Sequence, residues 1–201
     1  VDVGAKPGRT TLVRKLTYLI AMSIDGYIAG PGDEIDVYPT PEAYLGHLAS
    51  EYPETLPSHG RAGLGVADAP NRLFDTVVMG RATYQPALDL GVTSPYAHLR
   101  QYVVSGGLTS PDPAVTVAAD PLALVRSLKA EPEGLGIYLA GGATVAGAVY
   151  PEIDEVILKL YPIMLGRGVP MISGEFDVTA FERTDVTTFD SGHVILRYNR
   201  T

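Results

Sequence analysis

Twice in this chain an apolar, β-branched run ends on glycine and passes directly into a segment of helical composition. TVVMG (Thr76–Gly80) leads into RATYQPALDLG, and GIYLAGG (Gly136–Gly142) leads into ATVAGAVYPE. A strand that ends this way delivers the free backbone N–H groups of a helix start to one edge of a sheet, which is an α/β arrangement. The rest of the chain follows the same alternation. Leu12–Met22 reads as a central strand ended by SIDG, Gln101–Ser105 and Val115–Ala119 read as further strands, and Asp154–Leu165 reads as a long strand interrupted by Pro162. Pro41 opens a helix with Thr40 as its N-cap, and Asp120 caps DPLALVRSLKAE. FERTDVTTF and HVILRYN, joined by Asp190-Ser191-Gly192, form a terminal hairpin. The pattern predicts a largely parallel sheet covered by helices on both faces, with an antiparallel edge. It predicts one domain over residues 12–201, after a flexible leader at residues 1–11. Pro53–Pro70 has no periodicity and exceeds the usual connection length, so it reads as a mobile or covering loop.

Charge and composition exclude several classes. The 15 Lys and Arg residues against 23 Asp and Glu give a net charge of −8, which argues against a nucleic-acid-coating surface. The absence of Cys removes disulfides, thiol catalysis and thiolate metal sites. His47, His59, His98 and His193 share no ligand spacing, and no metal is expected. No apolar run approaches the roughly 18 residues that span a bilayer, so no membrane partner is expected and the cytoplasm is the default location. GxSxG is absent; Ser105 lies in VVSGG, without the first glycine of a nucleophile elbow.

Gly141 and Gly142 let a ligand approach a helix start without a Cβ in the way, and Thr144 adds a hydroxyl. At the other start, Gly80 precedes the fixed cation of Arg81 and the hydroxyl of Thr83. Together the two starts could grip one elongated anionic ligand. The competing readings are a ligand-free tight turn, a surface ion pair for Arg81, and a purely structural cap for Thr83. Asp25 follows the first strand, where open α/β sheets bind ligands, although an Asx turn explains it equally. Asp33, Glu34, Asp36 and Glu42 cluster in and after the next loop, and any of them could relay a proton.

In order, IAMSIDGYIAG, VVMGRATY, YVVSGG, IYLAGGATVAG and DEVILKLYPIMLGRGVP resemble the dihydrofolate reductase-like superfamily. The likeness is closer to the branch shared with the reductase domain of bacterial riboflavin biosynthesis, and it runs in register from Leu16 to Tyr198. It implies a three-layer α/β/α fold around a mixed, mostly parallel sheet of about eight strands, and an NADPH-dependent reductase. By this resemblance Ala21 and Ile28 line the nicotinamide pocket, and Gly80, Arg81 and Thr83 hold the phosphate-bearing part of the cofactor. Arg81 and Ser105 lie nearest the 2′-phosphate, while Gly141, Gly142, Ala143, Thr144 and Val145 hold the pyrophosphate. Tyr161 lies near nicotinamide and substrate, and Asp36 and Asp25 are the acids taken as catalytic, with ordered water as the other proton source.

The chain departs from true dihydrofolate reductases, because VYPTPEAYLGHL has no acid inside the helix beyond Glu42 and the chain has no Trp. This argues against folate as substrate. A Cys-free chain also lacks the zinc signature of the deaminase to which the riboflavin-type reductase is normally joined. The expectation is a lone reductase-like domain acting on a small pterin-like or ribosylamino-pyrimidine heterocycle, as a homodimer with the C-terminal strands at its interface. The alternatives are a nucleotide-binding protein that keeps the pocket without turnover, and a small α/β hydrolase or sugar-phosphate enzyme.

Overall fold

The structure, a computed structural model, describes residues 14–201. The leader expected at residues 1–11, and Leu12 and Val13 of the first expected strand, lie outside the described residues. In chain order the elements are β1 (Leu16–Ser23), β2 (Tyr27–Ala29), α1 (Glu42–Glu51), α2 (Ser58–Arg61), β3 (Phe74–Gly80), α3 (Arg81–Asp89), β4 (Arg100–Val104) and β5 (Val115–Ala118). They continue with α4 (Pro121–Lys129), β6 (Gly136–Gly141), α5 (Ala143–Ala148), β7 (Glu155–Tyr161), β8 (Val169–Pro170), β9 (Phe181–Thr188) and β10 (Val194–Arg200). Eight strands form one sheet in the order β5-β4-β3-β6-β1-β7-β10-β9. Every pairing from β5 to β7 is parallel, and the β7–β10–β9 edge is antiparallel. The mixed, mostly parallel sheet expected from the sequence is therefore present. A separate small sheet pairs β2 with β8.

Side-chain alternation divides the core into two halves. Leu19, Val77, Met79, Tyr138 and Ile157 face one side, where Tyr44 and Leu48 of α1 and Tyr84 of α3 pack. Tyr18, Val78, Ile137 and Leu139 face the other, against Val125 and Leu128 of α4, Val145 of α5 and Val149 just after it. Full burial of each such aliphatic side chain contributes roughly 1.5–3 kcal/mol. The continuous apolar runs of β3 and β6 follow from this, since both of their faces are covered.

Local signals held unevenly. Asp120 caps α4, its carboxylate accepting from the Ala123 N–H at 3.0 Å. Thr40 does not cap α1; Pro41 stands at the cap position, and the Thr40 hydroxyl donates to the Tyr38 carbonyl instead. The long strand expected to Leu165 stops at Tyr161, because Pro162 has no N–H to continue the ladder. Residues 53–70 carry α2 and two short 3-10 turns, not a bare loop. They are pinned by two buried charges: Glu54 accepts from the N–H groups of Arg72 and Leu73, and Arg61 donates to the carbonyls of Pro53 and Ala69.

A lysine also lies on the α1-facing side of the sheet. Lys159 on β7 stands between Ile157 and Tyr161, beside Ala21 of β1 and Ile195 of β10. Desolvation pushes its ammonium down from the usual 10.5 to about 8. The unfolded chain therefore binds more protons than the native one between those two values, so stability rises with pH across that window. Below pH 8 both states are protonated and the cost of the buried charge is fully present. Lys159→Met is expected to stabilise the protein at pH 7 by about 1–3 kcal/mol, with the gain shrinking between pH 8 and 10.5. Denaturant unfolding at pH 7 and pH 10 checks this; a gain that does not depend on pH would contradict it.

Candidate functional site

β3 and β6 are parallel neighbours, so the chain leaves both at the same edge of the sheet. α3 then turns onto one face and α5 onto the other. Their starts nevertheless converge. A Cβ on Gly80 would lie 3.1 Å from Val145 Cγ2 and 3.3 Å from the Gly142 nitrogen, so a larger residue would have to push these neighbours back by a few tenths of an ångström. Neither helix start is capped by a side chain: Gly80 and Gly142 occupy the cap positions. Thr83, expected as a possible cap, lies inside the first turn of α3 with its hydroxyl facing Gly141 and Gly142.

A cavity of about 580 Å³ opens at this convergence. Its walls include Gly80, Arg81 and Thr83 from the first start, and Gly142, Ala143, Thr144 and Val145 from the second. Ile28 closes it from the β2 side. These sequence-selected residues are thus brought together. Arg81 is exposed and makes no salt bridge among the described residues.

Six other selected residues do not line that wall. Gly141 lies just behind it, joined to Gly142 by a cis peptide. Ala21 points to the opposite sheet face from Ile20, and it is Ile20 that lines the cavity. Val104 lines it too, whereas the hydroxyl of Ser105, one residue on, accepts from the N–H groups of Gly107 and Leu108. Tyr161 is 4% exposed and packs edge-on against Tyr38, Tyr44 and His193 at 4.8–5.5 Å. Asp36 is exposed on the loop before α1. Asp25 accepts from the Ser23 hydroxyl at 2.6 Å and from the N–H groups of Leu165 and Gly166 at 3.1 and 2.7 Å. The Ser23 hydrogen bond, followed by those backbone donors, holds its carboxyl below the usual range. Asp25 is an ionised tie between the end of β1 and the 165–166 turn.

Besides Ile20 and Val104, the wall residues with no sequence signal are Ala29, Ile35, Ala82, Pro86, Ala140 and Val169, whereas Asp33, one of the four acids that could relay a proton, lines the wall. Asp33 is the one carboxylate among the lining residues, and it holds a left-handed φ of 63°. Sequence pattern does not separate Asp33 from Asp36; tertiary placement does, since Asp33 lines the cavity and Asp36 does not. Val169 arrives through the β2–β8 pairing, where GRGVPM had read as a simple turn. The covering role considered for residues 53–70 is not observed, since none of them lines the cavity.

The parallel sheet with its cavity at the carboxyl ends of β1, β3, β4 and β6 defines an α/β protein of the dihydrofolate reductase-like class. The chain belongs to the RibD C-terminal domain family, whose model matches residues 14–195. It is 32% identical over 162 residues to the uncharacterized protein YwjB of Bacillus subtilis (strain 168), covering 79% of this chain and 82% of that one. A putative riboflavin biosynthesis protein from Shewanella sp. PV-4 superposes with a TM-score of 0.62 at 21% identity, covering 93% of this chain and 99% of that one. A Thermotoga maritima diaminohydroxyphosphoribosylaminopyrimidine deaminase/5-amino-6-(5-phosphoribosylamino)uracil reductase gives a TM-score of 0.63 at 13% identity, over 96% of this chain and 58% of that one. Enterococcus faecalis dihydrofolate reductase, complexed with NADP(H) and RAB-propyl, gives 0.62 at 16% identity, over 93% and 96% of the two chains. Among the described residues no helix is long and apolar enough to cross a membrane.

Gly168 sets how closely β8 approaches β2, because a Cβ there would collide with the Ala29 carbonyl. Gly168→Ala is expected to separate the two strands, displacing Val169 and Ala29 from the cavity wall at a cost of about 1–3 kcal/mol. A lowered thermal midpoint measures this; an unchanged one would mean that the approach is not tight.

Proposed function

We propose that this protein is an NADPH-dependent reductase acting on a small heterocycle of the pterin or ribosylamino-pyrimidine type. The observation that carries the reading is the convergence of two helix starts with no side-chain cap on one cavity that is also lined by the cation of Arg81, which has no salt-bridge partner among the described residues. Free first-turn N–H groups and a fixed guanidinium suit phosphate oxygens, and the missing Cβ at Gly142 leaves room for a pyrophosphate. The residues present therefore fit the dinucleotide that the family resemblance implies.

In this reading the first turn of α5, from Gly142 to Val145, holds the pyrophosphate, and Thr144 adds its hydroxyl. Arg81 takes the 2′-phosphate that separates NADPH from NADH, with Ser105 as its proposed neighbour. Ile20, Ile28, Ala140 and Val169 supply apolar walls that exclude water from the reacting end. When bound, the nicotinamide supplies a hydride to an electron-poor C=N or C=O carbon. Asp33, on the wall, is the carboxylate placed to pass a proton from water to the substrate; Asp25 is committed as an acceptor in the turn. The loop that Asp25 ties down positions Ile28. The working unit in this reading is a cytoplasmic homodimer.

Isothermal titration with NADPH and NADH, followed by a reductase screen on pterin and ribosylamino-pyrimidine substrates, tests the reading. Arg81→Ala is expected to weaken NADPH binding by tenfold or more, on the order of 1.4 kcal/mol, and to weaken NADH binding much less. Gly142→Val is expected to abolish both while the protein still folds. Equal losses on Arg81→Ala would take Arg81 away from the 2′-phosphate. Binding without turnover across the screen would favour a non-catalytic nucleotide-binding protein, and no binding of either dinucleotide would overturn the reading.

A further inference from the structure

The cavity between the α3 and α5 starts lies at the carboxyl ends of the parallel strands, and a second cavity lies at their amino ends. It has a volume of about 320 Å³. Lys15, Leu73 and Leu135, which immediately precede β1, β3 and β6, line it together with Glu155, the first residue of β7. Arg72 and Arg197 complete the wall and continue into a neighbouring cavity of about 360 Å³ beside α1. β1 is eight residues long, so at ~3.3 Å per residue the two edges of the sheet lie about 23 Å apart.

The charge at this edge is opposite in sign to that of the chain. The protein carries −8 overall, yet four basic side chains and a single acid line the cavity. Arg14 is already committed: its buried guanidinium donates to Asp75 and Glu131, and at 2.8 Å to both the Leu135 carbonyl and the Thr76 hydroxyl. The other three cations are not. Lys15 and Arg72 are exposed and make no salt bridge among the described residues. Arg197 Nε is buried without a hydrogen-bond partner, with Glu155 Oε1 at an ion-pair distance of 3.3 Å. The Glu155 carboxylate also accepts from the Thr17 hydroxyl at 2.9 Å. Three cations against one carboxylate leave two positive charges unmatched.

We propose that this amino-edge cavity binds a small phosphate monoester with an apolar body. The unmatched charge equals that of a phosphate monoester, about −1.5 to −2 at pH 7. A monocarboxylate would leave one cation without a partner. Guanidinium and ammonium donors suit the three oxygens of such a head group. Leu73, 36% exposed, and the half-buried Leu135 supply apolar surface for the body. The cavity is formed in advance of any ligand. A Cβ on Gly136 would lie 2.8 Å from the Leu73 carbonyl, and one on Gly134, whose φ is +130°, would meet Asp75 and the Arg14 guanidinium. Its volume falls at the small end of the ~300–1,000 Å³ usual for small-molecule sites. Glu51 and Asp185 on the neighbouring walls repel an anion and confine it to the first cavity.

This site stands apart from the reductase reading and fails separately from it. Isothermal titration of the whole chain with phenyl phosphate is expected to show saturable binding at millimolar concentration or below. Phenol and inorganic phosphate, each lacking one half of the ligand, are expected to bind at least tenfold more weakly. Lys15→Gln/Arg72→Gln is expected to weaken phenyl phosphate binding at least tenfold with unchanged circular dichroism, and Arg81→Ala to leave it unaltered. Glu155→Gln removes the opposing charge and is expected to tighten binding about threefold. Absence of saturable binding overturns the proposal, as does inorganic phosphate binding as tightly as phenyl phosphate. A loss confined to Arg81→Ala also overturns it, because the ligand then occupies the cavity between α3 and α5. If the paired variant does not fold, Glu155→Gln decides alone: unchanged or weaker binding overturns the proposal.

Discussion

Parallel pairing of β3 with β6 places two chain reversals side by side, with Met79 opposite Gly141 at the carboxyl edge of the sheet. Each reversal starts a helix, and the helices depart to opposite faces because each must bury an apolar stripe against its own half of the core. A cleft between the two starts is the geometric consequence. It is narrow at its base because Gly80 carries no side chain to hold Val145 and Gly142 away. Its rim carries the first-turn N–H groups of both helices, which receive no side-chain cap from Gly80 or Gly142.

The walls of that cleft are completed from a distance. Asp25 ties the chain after β1 to the turn at residues 165–166, and the Gly26 carbonyl accepts from the Met171 N–H, so two loops far apart in sequence are held together. Ile28, Ala29 and Val169 reach the cavity as a result. A carboxylate that accepts three hydrogen bonds is a positioning group, and its ionised state is stabilised by the same donors that it organises. Glu34 acts similarly within its own turn: its carboxylate accepts from the Gly32 N–H, while its carbonyl accepts from the Gly30 N–H.

Covering helices are distributed according to strand type. Parallel strands β3, β4, β6 and β1 are joined by helical crossovers that lie on the sheet. β9 and β10 are joined by a hairpin, which brings no helix with it. Among the described residues, the only partly buried leucines on the outer strands are thus a product of the antiparallel edge.

Much of this was legible in the sequence wherever the signal was local. Strand–glycine–helix junctions marked Gly80, Arg81, Thr83 and Gly142–Val145, because a helix start is built from consecutive residues. The hairpin and the Asp120 cap were legible for the same reason. Ile20 rather than Ala21, Val104 rather than Ser105, and Asp33 rather than Asp36 were not, since each choice turns on a one-residue step or a loop path set by distant partners. The sequence alone determined the fold class and the two junctions that frame the cavity. Tertiary structure alone decided which neighbours of those junctions face inward, because strand register and loop docking bring together side chains with no proximity along the chain.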